Sequence, residues 1–254
     1  MSDPAPVCFG PRRAPASWTS LALSLVLALF LSAQGLAANY NDQAYQAAVA
    51  DASVAMASEI SRDLTPLVAW NTNLVWEGAP GASRLKMVAL TGGYYDSSVG
   101  KNYVMSFGQL WVTAAPELKQ FFQNGLHSPS VARLEQLLGL PPESGYTRIV
   151  EFWVNPSDLF RPSPDPETTD MEAQIGFPGG SRTSVPQSYQ DWFAANYESS
   201  FHSTKPYPWT QLGYTYDWGA SNHVGLSEFV IERGATVGVV QTYQPLDYLA
   251  ARPQ

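Results

Sequence analysis

The sequence predicts an α+β fold: a single domain with a mixed or antiparallel sheet flanked by helices, after an N-terminal signal peptide. Three observations predict it. Short runs of β-branched and aromatic residues recur between residues 73 and 242, bounded by Gly, Pro, Asn and Ser. Stretches with helical spacing lie between and around them. The chain has 254 residues of which 45% are hydrophobic, enough to bury a core, and no repeat or sharp linker divides it.

The elements follow in order. Residues 1–37 read as a secretory signal peptide. Arg12 and Arg13 form a basic start, 21–31 is an uncharged apolar run, and Gly35, Leu36 and Ala37 supply a cleavage point. The run is too short for a typical membrane span, although an uncleaved anchor is the alternative. The expected location is secreted or periplasmic, with no stable membrane insertion after cleavage. The single cysteine, Cys8, leaves with this segment, so the mature chain is expected to hold no disulfide and no thiolate metal site.

Residues 38–66 read as a helical arm. Alanines at 44, 47, 48, 52 and 55 with Ile60 predict a helix over 41–62, peripheral to the main body, and Pro66 stops it. Residues 67–254 form the α+β domain. Strands are predicted over 73–77, 84–90, 109–113 and 146–154, with helices over 116–124 and from 128 to Gly139 between the last two. Residues 155–184 are rich in Pro, Gly, Ser and Thr and lack periodicity. A long irregular segment bracketed by strong structure is expected to be functional. Tyr189, Trp192, Phe193 and Tyr197 then mark a helix over 187–199. Strands at 211–216, 227–231 and 236–242 and a short helix at 246–251 complete the domain.

Charge and motifs narrow the function. The net charge is −8 and the pI about 4.8, which argues against a nucleic-acid partner and against an anionic membrane surface. His127, His202 and His223 have no metal-ligand spacing, so no metal is expected. There is no G-x-S-x-G elbow, no H-E-x-x-H and no P-loop.

Two segments within 155–234 stand out. In Asp-Leu-Phe-Arg-Pro-Ser-Pro-Asp-Pro (158–166), Arg161 sits on a proline-framed loop after a strand. Its planar fork suits a phosphate, or it pairs with Asp158, Asp165 or Glu167. Arg148 is a rival phosphate grip, or a partner for Glu151. The second segment runs from Trp209 through Tyr214, Tyr216 and Trp218 to Ser227, Glu228 and Phe229. A carboxylate inside an apolar strand is costly to bury. Glu228 therefore either faces solvent or works in a cleft, and the aromatics either pack the sheet or stack on a ligand.

Trp218-Gly219, a loop with Gly225, and then Ser227-Glu228-Phe229 resemble the end of secreted NAD glycohydrolase toxins of the tuberculosis-necrotizing-toxin type. The 158–166 loop resembles their upstream Asp-Arg-Phe-Gly-Ser-Pro loop, in the same order. Residues 227–234 also resemble the last motif of ADP-ribosyltransferase toxins. Glu228 stands where the glycohydrolases carry glutamine, and Arg161 is shifted within its loop.

The resemblance implies cleavage of the nicotinamide–ribose bond of NAD, a small nucleotide taken as substrate with no separate cofactor. Glu228 would be the catalytic carboxylate that stabilises oxocarbenium character at the ribose. Arg161 would hold the pyrophosphate; Trp218, Tyr214 and Tyr216, with Ser227 beside them, would form the substrate-binding face. The alternative is an exported, non-enzymatic binding or interaction protein whose Trp- and Tyr-rich surface stacks on sugars or peptides.

Overall fold

In a computed structural model of the chain, residues 42–123, 127–179 and 185–250 are described. The expected signal peptide lies outside them. The sheet is built around β1 (Leu85–Thr91) and β4 (Arg148–Val154), which run antiparallel with Met87 opposite Phe152 and Ala89 opposite Val150. β2 (Asn102–Val104), β3 (Leu110–Ala114), β5 (Leu159–Phe160), β8 (Phe229–Ile231) and β9 (Thr236–Tyr243) complete seven strands in the order β2-β9-β4-β1-β3-β8-β5. Every pairing in it is antiparallel. A two-stranded antiparallel ladder of β6 (Tyr214–Tyr216) and β7 (Val224–Ser227) stands apart. The fold is α+β, as the sequence predicts.

Side-chain alternation splits the sheet into two buried faces. Leu85, Met87 and Ala89 share one core with Val150, Phe152, Val154, Phe229, Ile231, Val237 and Val239. That face is covered by irregular chain carrying Leu67, Leu74, Tyr95 and Met105. Val88 and Ile149 face the other way, onto α2 (Ala115–Gln123), α3 (Val131–Leu137) and α5 (Pro245–Ala250) through Leu118, Phe122, Leu134, Leu137, Tyr248 and Leu249. Further along the chain comes α4 (Gln187–Phe201).

Three expectations are corrected. The first helix, α1, covers only 42–52. Its end is set by one tertiary and one local bond: Gln211 donates to the Ala52 carbonyl at 3.0 Å, and the Ser53 hydroxyl donates to Ala50 O at 2.7 Å. It is no peripheral arm, because Tyr45, Ala48, Val49 and Ala52 are buried with Tyr216 and Trp218. Residues 73–77 give only a single bridge, Trp76 to Leu85, in place of a strand. The expected strand 227–231 is broken at Glu228, which separates β7 from β8.

Candidate functional site

The residues singled out from the sequence are mostly engaged in holding the fold. Arg161 is fully buried. Its guanidinium donates to Asp170 Oδ1 at 3.2 Å, to the Glu172 carbonyl at 3.2 Å and to the Asp170 carbonyl at 2.9 Å. Burial lowers its hold on the proton, and Asp170, Glu167, Asp165 and Glu117 counteract that. It braces the 161–172 loop from beneath and meets no solvent, so it does not present a phosphate grip. Gly213 makes room for it: at φ +74°, a Cβ there would lie 2.5 Å from Arg161 Cδ. Arg148 pairs with Asp96 at 3.1 Å rather than with Glu151.

The aromatics are tied down in the same way. Trp218 is buried and its Nε1 donates to Leu140 O at 2.9 Å. The Tyr214 hydroxyl donates to Glu59 O at 2.9 Å, and that of Tyr216 to Asp51 Oδ2 at 2.7 Å. The Ser227 hydroxyl accepts from Thr65 N at 2.8 Å. Ser227 N donates to Glu117 Oε1 at 2.7 Å. Glu117, in the first turn of α2, also accepts from the Thr65 hydroxyl at 3.0 Å, and its burial pushes its pKa upward against those bonds.

Glu228 is half-buried, and its carboxyl group has no hydrogen-bond or ionic partner among the described residues. Burial alone pushes it up to about 8. It lies on the side of Tyr207, whose ring meets Trp111 edge-on at 6.4 Å. Arg161 falls elsewhere. Phe160 pairs with Val230, which places Arg161 beside Phe229, and its guanidinium lies 5.9 Å from that ring. Of the predicted site residues, Tyr214 and Tyr216 share a cleft, and Arg161, Trp218, Ser227 and Glu228 do not line it.

The site that geometry assembles is a groove of about 520 Å³ between β5 and the start of α4. Phe160 comes from the edge strand of the sheet. Tyr189 and Trp192 stand three residues apart on α4, hence on one helix face. Phe160 meets Trp192 edge-on at 4.7 Å and Tyr189 edge-on at 5.4 Å. Tyr189 and Trp192 are tilted by 36° at 5.2 Å. Pro166 and Pro186 frame the ends. The rings are fixed from behind: the Tyr189 hydroxyl lies 2.7 Å from Ser163 O and 2.9 Å from Arg161 O. Trp192 Nε1 donates to Gln109 at 2.5 Å, and buried Trp209 supports Trp192 at 6.3 Å.

Around this aromatic floor lies a polar rim of Gln109, Glu167, Ser188, Glu232 and Arg233. Glu167 is occupied by Thr169 and the Asp170 amide. Glu232 and Arg233 are exposed and have no side-chain partner among the described residues. The sequence reading places Trp192 on a helix without a site role and takes Glu232 and Arg233 only as part of the 227–234 motif. The spacing of Tyr189 and Trp192 signals a common face but not that β5 stops short of covering it.

Among the described residues no three His, Cys, Asp or Glu side chains gather to hold a metal ion. No helix among them is long and apolar enough to cross a membrane. Comparison with protein-family models, with curated proteins and with solved structures finds no match to the chain.

Proposed function

We propose that the protein is a non-enzymatic binding protein and that its groove takes a neutral carbohydrate chain. The observation that carries this reading is the pairing of a preformed aromatic floor with an unpaired carboxylate and guanidinium at its rim. Sugar rings present an apolar face of C–H groups and an edge of hydroxyls. Rings such as Trp192 and Tyr189 cover the first at low entropic cost, and planar groups with two donors or acceptors engage neighbouring hydroxyls. Glu232 and Arg233 offset each other in charge, and Glu167 on the same rim is already satisfied by Thr169 and the Asp170 amide, which favours a neutral ligand over an anionic one. The exported location expected from residues 1–37 fits a glycan ligand.

Cleavage of NAD has less support. It rests on Glu228 alone, and a carboxyl pushed up to about 8 is mostly protonated at neutral pH. It then offers a donor in place of the negative charge an oxocarbenium ion demands.

Calorimetric titration with linear β-1,4-linked hexasaccharides of glucose, xylose and N-acetylglucosamine tests the reading. Binding of at least one is expected, weakened about tenfold or more in Trp192→Ala, equivalent to ~1.4 kcal/mol. Nicotinamide release from NAD by the wild type, lost in Glu228→Ala, would instead establish the enzyme.

A further inference from the structure

The rim of the aromatic groove is placed by the sheet. Glu232 follows β8 directly, and its amide donates to the Asp158 carbonyl at 2.9 Å. That bond extends the pairing of Leu159 with Ile231 and of Phe160 with Val230 by one step. Side chains alternate along a strand, so Glu232 falls on the face that carries Val230 and Phe160, which is the face of the groove. Ala235 N donates to the Glu232 carbonyl at 3.2 Å and closes a turn, with Gly234 at φ +91°. Arg233 stands in that turn. The backbone under both side chains is fixed, and both side chains are exposed and line the groove.

Together they set a carboxylate acceptor beside a guanidinium donor. A single hydroxyl is served by either one. A trans secondary amide carries its N–H and its C=O on opposite edges of one plane and uses both. Consecutive residues send their side chains apart, so Glu232 and Arg233 can meet one edge each. The amide is also neutral, as their offsetting charges favour. The floor supplies open apolar surface beside them. Tyr189, Trp192 and Pro166 are half-exposed and Pro186 is exposed, while Phe160 is buried and props the rings.

Resting on the carbohydrate reading, we infer that the groove selects a chain of 2-acetamido sugars over a chain of plain hexoses. The acetamido N–H donates to Glu232 and its carbonyl accepts from Arg233, both as charge-assisted bonds. Its methyl group and the C–H face of the sugar ring lie on Trp192, Tyr189 and Pro166.

The test is calorimetric titration of residues 38–254 with β-1,4-linked hexasaccharides of N-acetylglucosamine and of glucose, which differ only in acetamido against hydroxyl at carbon 2. The acetamido chain is expected to bind about tenfold tighter or more, the effect of two charge-assisted bonds at an exposed rim. In Glu232→Ala/Arg233→Ala, two surface changes, the two affinities should come within about twofold of each other. Trp192→Ala should weaken both chains and keep their ratio. Equal affinities in the wild type, a preference for glucose, or a preference that survives in the double variant would overturn the acetamido assignment and leave the carbohydrate reading standing. Binding of neither chain would overturn it as well, and only failure of the xylose chain too would take the carbohydrate reading with it.

Discussion

Glu228 shows what one unpaired side chain does to a fold. Its pKa in the folded protein, about 8, lies above the ordinary 4.5. Between those values the folded chain holds a proton that the unfolded chain has released. Stability therefore falls as pH rises through that window, by up to about 1.4 kcal/mol per pH unit from this group, and the penalty is complete above the folded value. Glu228→Gln is expected to flatten that slope and to raise stability at pH 9. Urea unfolding at pH 5.5, 7 and 9 measures it; identical slopes in the two proteins would refute the assignment. Arg161 is the opposite case, a buried charge with partners. Arg161→Ala should destabilise by about 3 kcal/mol, from a lost buried network and an unfilled volume, and should loosen the 161–172 loop that carries Pro166 and Glu167. Its guanidine midpoint against the wild type gives the value. Sequence alone shows that Glu228 is anomalous, because a carboxylate before Phe-Val-Ile is visible as such. It does not show that Arg161 faces inward, because the carbonyls of Asp170 and Glu172 that hold it come from irregular chain.

Elements with strong local signals are legible, and those fixed by distant partners are not. β1, β3, β4 and β9 carry β-branched and aromatic runs, and α2 and α3 carry proline and serine starts; all lie within a few residues of expectation. α1 ends ten residues early because Gln211, far along the chain, takes its last carbonyl. β2 and β5 have three and two residues, too few to show a period. α1 is bound to the body by Tyr45, whose ring meets Trp218 at 6.0 Å and whose hydroxyl donates to Pro206 O at 3.0 Å. Tyr45→Ala should cost about 3 kcal/mol, read by thermal unfolding. The β6–β7 ladder depends on closeness of backbone at Gly225. A Cβ there would lie 2.5 Å from Thr215 O and 2.8 Å from Leu137 O, and neither is a flexible side-chain end. Gly225→Ala should therefore destabilise by more than about 2 kcal/mol, whereas Gly100→Ser, with open space around it, should cost less in spite of its positive φ.

At the scale of the whole molecule, the antiparallel sheet separates a helix-covered face from a face covered by irregular chain. The aromatic groove forms at the edge where the sheet runs out, because β5 is only two residues long and α4 crosses beside it. That is why the groove is hidden in the sequence: its floor and rim come from residues 109, 160, 166–167, 186–192 and 232–233, and only the strand order brings them together. Composition does foreshadow it, since aromatics at 13% nearly equal charged residues at 14%, and not all such rings fit a core. The most direct test of the binding assignment is retention of a fluorescently labelled chain of residues 38–254 on a glycan array, beside Trp192→Ala whose fold is verified by circular dichroism. The expected result is retention on a defined set of neutral oligosaccharides by the wild type, lost in the variant. Retention on no glycan, or retention that Trp192→Ala leaves intact, would contradict the assignment.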